Sequence, residues 1–185
     1  MEPTRPIGGL HPAVPIPTVE ESPALLEGVV FAIESNHPRL SQWLYSLVKA
    51  WKGVPFDIRP ESKALYHAGL STASNFTVVL FAMAERMLEH TGLDRALAKQ
   101  ALLPLLRKTV DNLSRLSAES ALTGPLARGD LSTVEGHLAA LKASGEGYAT
   151  YLSLARAAIP LLAARGADVS TVVTLLEKWE QQWQD

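Results

Sequence analysis

Two short runs, Gly28-Val-Val-Phe-Ala-Ile-Glu34 and Val54-Pro-Phe-Asp-Ile58, hold the clearest strand-like sequence in this chain, and everything after Pro60 is patterned as helix. Short runs rich in β-branched and aromatic residues favour strands. Between them, Pro38 to about Lys52 sets Leu40, Leu44, Leu47 and Val48 on one side, as an amphipathic helix does. Strand, helix and strand make a βαβ-like fragment too small to be a sheet domain alone, and its open edges call for partners. Residues 1–23 carry six prolines (Pro3, Pro6, Pro12, Pro15, Pro17, Pro23). Proline fixes φ and removes a donor, so this arm is expected to be extended and irregular.

From Pro60 the pattern predicts helices. The first runs over about 60–91, with Leu65, Thr72, Phe76, Val79, Met83 and Met87 at three- and four-residue steps. At about thirty residues it is long against a mean of roughly 11–12, so it is expected to be flanked on several sides. The second starts at an Asp94 cap and runs to about Ser117, with Pro104 expected to kink or split it. Ser132 and Glu135 have the spacing of a capping box opening a helix over about 132–144. A helix from Tyr148 to Arg165 follows, ended by Gly166, and Asp168 or Ser170 caps the last one. There Val172, Leu176, Trp179 and Trp183 share a face that either closes the chain's own core or meets another subunit, where Trp is enriched.

Composition narrows the function classes. A chain of 185 residues can bury a sizeable core, and with no cysteine it has neither disulfides nor thiolate metal sites. A net charge of -2 with mixed signs argues against a nucleic-acid footprint or a polybasic membrane patch. No apolar run reaches the roughly 18 residues of a membrane span, and a cytoplasmic location is expected. His11, His37, His67, His90 and His137 lack metal-ligand spacing, so no metal is expected. No P-loop or Gly-x-Gly-x-x-Gly turn is present.

Two clusters carry polar chemistry. On the first long helix, Lys63, His67, Ser71, Ser74 and Asn75 sweep an arc of about 120° at 100° per residue. Such a seam faces water, is tied to other helices, or lines a ligand cleft. His67 alone suits a satisfied core histidine; with Ser74 and Asn75 beside it, it also suits a general acid next to groups that hold a carbonyl or carboxylate. The loop Leu122-Thr-Gly-Pro-Leu-Ala-Arg-Gly-Asp130 joins a hydroxyl, a rigid turn, a guanidinium and a carboxylate. Arg128 offers a bidentate grip on an anion, or else Asp130 caps the next helix and Arg128 pairs with it.

Lys63-Ala-Leu-Tyr-His-Ala-Gly69, Ala73-Ser-Asn75, Ala101-Leu-Leu-Pro-Leu-Leu-Arg107, Ala121-Leu-Thr-Gly-Pro-Leu-Ala-Arg-Gly-Asp130, Thr133 and His137-Leu138 occur in an order that resembles one family. Its members are predicted oxidoreductases with an N-terminal Rossmann domain and an uncharacterised helical C-terminal domain. They are similar in fold to ketopantoate reductase, pyrroline-5-carboxylate reductase and 6-phosphogluconate dehydrogenase. The resemblance covers roughly residues 7–165; Gly8-Gly-Leu-His-Pro12 resembles the segment after the ligand-side strands, and 28–58 the last strand-helix-strand of the Rossmann domain. It implies a nucleotide-binding part upstream, glycine fingerprint included. The superfamily often places a catalytic lysine four residues before an asparagine; here that position is Ser71, and Lys63 does not inherit the role.

The expected architecture is therefore mainly α, a helical bundle like the 6-phosphogluconate dehydrogenase C-terminal domain, preceded by a short βαβ remnant of a Rossmann domain. Residues 1–59 form the arm and remnant, and 60–185 the helical domain. The resemblance implies a substrate-binding and dimerisation part of an NAD(P)-dependent oxidoreductase acting on a small molecule. It implies His67, Ser74 and Asn75 as catalytic groups and Thr123, Arg128 and Asp130 as substrate contacts. NADP or NAD is the implied cofactor, not bound by this chain alone, with a homodimer and a separate nucleotide-binding chain as partners. The alternative is a non-catalytic helical dimer, a scaffold or ligand-binding module.

Overall fold

A computed structural model describes residues 5–15 and 25–184, without the side chains of 182–184. Pro3, Pro17, Pro23 and the Trp183 side chain lie outside the described residues. Two compact units divide the chain, Met1–Val78 and Val79–Asp185.

The first unit is built on three strands, β1 (Gly8–Pro12), β2 (Val30–Ser35) and β3 (Val54–Asp57), in the order β1-β2-β3. Helix α1 (Pro38–Ala50) joins β2 to the parallel β3. It starts with Pro38 in its first turn and His37 as cap, whose Nδ1 accepts from the Arg39 N–H at 3.2 Å. The βαβ reading of 28–58 thus holds. The irregular arm does not, because Gly8–Pro12 is a strand pairing antiparallel with β2. Its glycines permit that approach: a Cβ on Gly9 would sit 2.9 Å from Glu34 Oε1, and one on Gly8 3.0 Å from a Leu44 methyl.

Side chains alternate across a strand, so β2 presents two different faces. Phe31 and Ile33 pack on Leu44 and Val48 of α1, with Leu10, Leu26, Val29, Leu40 and Tyr45 around them. Ala32 and Glu34 point the other way, opposite His11 and Gly9 of β1.

The expected single helix over 60–91 is instead a 3₁₀ turn, Pro60–Ser62, then α2 (Lys63–Ala73) and α3 (Asn75–Glu89). Ser74 leaves helical geometry at ψ -69°, and the Val78 N–H to Ser74 C=O bond stretches to 3.4 Å. The predicted stripe packs on its own chain only in part: Leu65, Phe76 and Val79 are exposed, while Met83 and Met87 are half-buried beside Gly147.

In the second unit the apolar core is formed by α7 (Leu131–Ser144), α8 (Tyr148–Ala157), α9 (Ile159–Ala164) and α10 (Ser170–Gln184). Val134, Leu138, Tyr148, Leu152, Ala155, Leu162, Val172, Leu176 and Trp179 cluster there. The Tyr148 hydroxyl donates to the Trp179 carbonyl at 2.7 Å. The C-terminal apolar face therefore closes this chain's own core for the three described residues. Arg156 forks onto Glu180, and Lys178 Nζ reaches Glu135 at 2.6 Å.

Helix α4 (Arg95–Leu113) is capped by Asp94 as expected, but Pro104 lies inside one unbroken helix. Pro104 is exposed, so water can meet the carbonyl that its missing N–H leaves unpaired. Pro160 does divide the helix expected over 148–165, because α9 takes it into its first turn, after a break at Ala158. Two one-turn helices, α5 (Ala118–Ala121) and α6 (Pro125–Arg128), complete the unit.

The expected Ser132/Glu135 capping box is replaced. Asp130 caps α7, its Oδ1 accepting from the Thr133 N–H at 3.2 Å and its Oδ2 from the Thr133 hydroxyl at 2.7 Å, while Glu135 pairs with Lys178.

Candidate functional site

The cleft face of the first unit follows from the alternation in β2. With Phe31 and Ile33 turned to α1, the small Ala32 and the carboxylate of Glu34 face the opposite side. Gly9 and His11 of β1 share that face, and α2 lies along it. Positions three and four apart on a helix share a side, so Lys63, Tyr66, His67, Leu70, Ser71 and Ser74 form one row.

Two adjoining lobes result. The first, of about 400 Å³, is lined by Gly9, Leu10, His11, Ala32, Glu34, Ile58, Lys63, Ala64, Tyr66 and His67. The second, of about 300 Å³, lies between His11–Pro15 and His67, Leu70, Ser71, Ala73, Ser74 and Asn75. His11 and His67 line both lobes. Their rings stand edge to face with centroids 5.4 Å apart, and His11 meets Tyr66 the same way at 5.9 Å.

The first lobe lies at the carboxyl ends of two parallel strands: Glu34 is next to last in β2, and Ile58 follows β3 directly. Ligands of open α/β sheets bind outside that edge. Its two charged linings neutralise each other, Lys63 Nζ lying 2.6 Å from Glu34 Oε1. The Tyr66 hydroxyl is inaccessible and has no hydrogen-bond partner among the described residues, and burial pushes its pKa up. It is held as a neutral phenol with an unused donor.

Of the residues expected from sequence, His67, Ser74 and Asn75 come together in this unit, with Ser71 between them. The break at Ser74 sets Ser74 and Asn75 at the end of one helix and the start of the next. Thr123, Arg128 and Asp130 belong to the second unit. There Gly124 at φ 94° and Gly129 at φ 69° bracket α6, in backbone conformations that glycine adopts without strain. Arg128 is exposed and makes no ion pair among the described residues. His11 is the residue that sequence reasoning missed. Its signal was positional: His11-Pro12 sits in the segment resembling a ligand-side stretch, two residues from Gly9 on the same strand face.

Asp130 is committed to its cap. The Thr133 hydroxyl and N–H, then the Ser132 hydroxyl, hold its carboxyl below the ordinary carboxylate value, with a smaller contribution from the charge of Arg128. A carboxyl depressed in the folded state adds stability above its unfolded value of about 3.9, and that stability is lost as pH falls through the folded value. In thermal melts from about pH 7 to about pH 3, wild type should lead Asp130→Ala by a margin that closes towards the acid end. A margin constant across that range would show that the carboxylate is not what caps α7.

Among the described residues no three histidine or acidic side chains group as a metal site, and no helix is long and apolar enough to cross a membrane. Searching curated proteins gives no match. Solved structures do. TM1727 from Thermotoga maritima is 25% identical with a TM-score of 0.75, over 86% of this chain and 63% of that one. BF3122 from Bacteroides fragilis, a proposed NADP oxidoreductase, is 23% identical with a TM-score of 0.59, over 71% of this chain and 49% of its own. A weaker likeness, at 14% identity and a TM-score of 0.49, is to an NADP-bound pyrroline carboxylate reductase from Plasmodium falciparum, over 96% of this chain and 62% of that one. The chain thus spans between about half and two thirds of the structures it matches. The part of TM1727 that it matches has the chain's own architecture, mainly helical with a short Rossmann-like remnant. A family model described as a domain of unknown function, DUF2520, matches residues 29–158, and the chain belongs to that family.

Proposed function

We propose that this chain is the helical substrate-binding and dimerisation part of a Rossmann-type NAD(P)-dependent oxidoreductase acting on a small molecule, with the two-lobed cleft as its substrate site. The observation that supports this most is the position of the cleft, at the carboxyl ends of β2 and β3 with two imidazoles lining both lobes. The likeness to BF3122 points the same way and favours NADP.

The dinucleotide's phosphates are a separate matter. The turn from β2 into α1 reads Ser35-Asn36-His37-Pro38, its cap is filled by the His37 ring, and Asn36 Oδ1 accepts from the Ile7 N–H. A pyrophosphate needs glycine for close approach and free N–H groups at a helix start. This turn does not fit one, so a nucleotide-binding domain, on the same polypeptide or a separate chain, is taken to present the cofactor.

The cleft's own contribution is the proton. An imidazole can give a proton to a ligand oxygen or nitrogen, or take one from it, while the Ser74 hydroxyl and Asn75 amide hold the neighbouring group. Arg128, and Thr123 beside it in sequence, are assigned to hydrogen-bonding the substrate in the assembled enzyme, with Asp130 fixing that loop. Exposed Val79, Leu97, Leu105 and Val110 supply apolar surface for a homodimer.

The second reading is a non-catalytic helical dimer, and the unsuitable β2–α1 turn is what favours it. Calorimetric titration of a Rossmann-type nucleotide-binding domain with NADPH and NADH, with and without this chain added in trans, separates the two. Cofactor binding that the added chain tightens at least about tenfold, and that His67→Ala returns towards the value of the domain alone, is the result expected of the enzyme part. His67 is exposed and has no hydrogen bond to lose among the described residues, so its replacement should move stability by no more than about 0.5 kcal/mol. A cofactor affinity that the added chain leaves unchanged would transfer it to the second reading.

A further inference from the structure

The charges around the cleft say more about its ligand than its shape does. In the first lobe the charged linings are Glu34 and Lys63, and they are spent on each other at 2.6 Å. An anionic or cationic group entering there would compete with that pair. Ala32, Ile58 and the Tyr66 ring give the rest of that lobe an apolar wall.

The second lobe has a different wall. Ser71, Ser74 and Asn75 line it, and apart from the two imidazoles none of its lining residues is ionisable. Hydroxyl and carboxamide groups both donate and accept, so they suit an uncharged polar group better than an ion. Phosphate recognition draws on Arg or Lys side chains, and this lining has neither.

We infer that the cleft takes an elongated, uncharged small molecule that lies across both lobes. Its apolar end rests on Ala32, Ile58 and the Tyr66 ring, its polar head meets Ser74 and Asn75, and its middle passes His11 and His67. This rests on the reading that the cleft is the substrate site, and it names the substrate class: a neutral carbonyl or amide compound rather than a phosphorylated or dianionic one.

Three probes of six carbons each test it: hexanamide, hexanoate and hexyl phosphate. Each is titrated into the 185-residue chain at about pH 8, with the histidine ring signals followed by NMR. Hexanamide should shift the His11 and His67 signals saturably and bind at least about tenfold more tightly than hexyl phosphate. Asn75→Ala should weaken hexanamide by about tenfold, as expected for loss of a hydrogen bond to the head group. Tighter binding of hexanoate or hexyl phosphate overturns the inference. So does a hexanamide titration that leaves both histidines unmoved, or one that Asn75→Ala does not change. No cofactor is present in these samples, so a failed NADPH titration and a failed hexanamide titration are separate results.

Discussion

Phe31→Ala is expected to cost about 3–5 kcal/mol and to remove the candidate site along with the fold that carries it. Phe31 is 1% exposed in the middle strand of the sheet. Its ring fills the space between β2 and the turn out of α1 so closely that a Cβ on Gly53 would lie 2.6 Å from it. Trp51 packs beside it at 5.8 Å. Removing the ring leaves a cavity that neither the strand nor the helix can close, and α1 loses its main anchor. A loss of this size is a large part of the roughly 5–15 kcal/mol that keeps a domain folded.

The effect on the site follows from strand alternation. The Phe31 and Ile33 side of β2 fixes where Ala32 and Glu34 sit on the other side, and with them the floor of the first lobe. Urea denaturation of Phe31→Ala should show the loss, and the histidine NMR signals of the cleft should collapse towards unfolded positions. Trp43→Ala is the control, since Trp43 is 58% exposed on α1 and its loss should stay within about 0.5 kcal/mol. Equal losses for the two would mean that α1 does not pack on the sheet through Phe31.

The same alternation explains what could and could not be read from sequence. The βαβ piece was legible because its signals are local: two β-branched runs and a helix with Leu44 and Val48 on one side. Strand β1 was not, because Gly8-Gly-Leu-His-Pro12 has little strand propensity of its own. It becomes a strand through pairing with residues more than twenty positions away, Gly9 with Glu34 and His11 with Ala32. His11 could not be placed at the site without that register. His67, Ser71, Ser74 and Asn75 needed only the helical period to be placed along one helical row.

The break at Ser74 carries neither glycine nor proline. Serine and asparagine side chains compete locally for backbone groups, and that pair is the sequence's nearest hint of it. The exposed stripe of Leu65, Phe76 and Val79 was legible as apolar but not as unpartnered, because periodicity reports a face and not what covers it. Asp130 shows the converse case, a residue type that suits catalysis and capping equally until the Thr133 hydrogen bonds are known.

Leu176→Ala should cost about 2–5 kcal/mol, and the result bears on the C-terminal apolar face that sequence left open between core and interface. Leu176 is 0% exposed, with Val172 at 3% and Trp179 at 8% on the same face of α10. These residues meet Val134 and Leu138 of α7 and Tyr148 and Leu152 of α8 within one cluster. The Tyr148 hydroxyl ties the far end by its bond to the Trp179 carbonyl. Large-to-small replacement at the centre of such a cluster loses transfer energy and leaves a cavity, since three helices would have to move together to fill it. Leu154→Ala provides the comparison, because Leu154 is 47% exposed on α8 and should shift stability by less than about 0.5 kcal/mol. If this face were instead an interface, the loss at Leu176 would grow as protein is diluted, because a partner stabilises by mass action. A core residue gives the same loss at every concentration, and that invariance in chemical denaturation is the expected result.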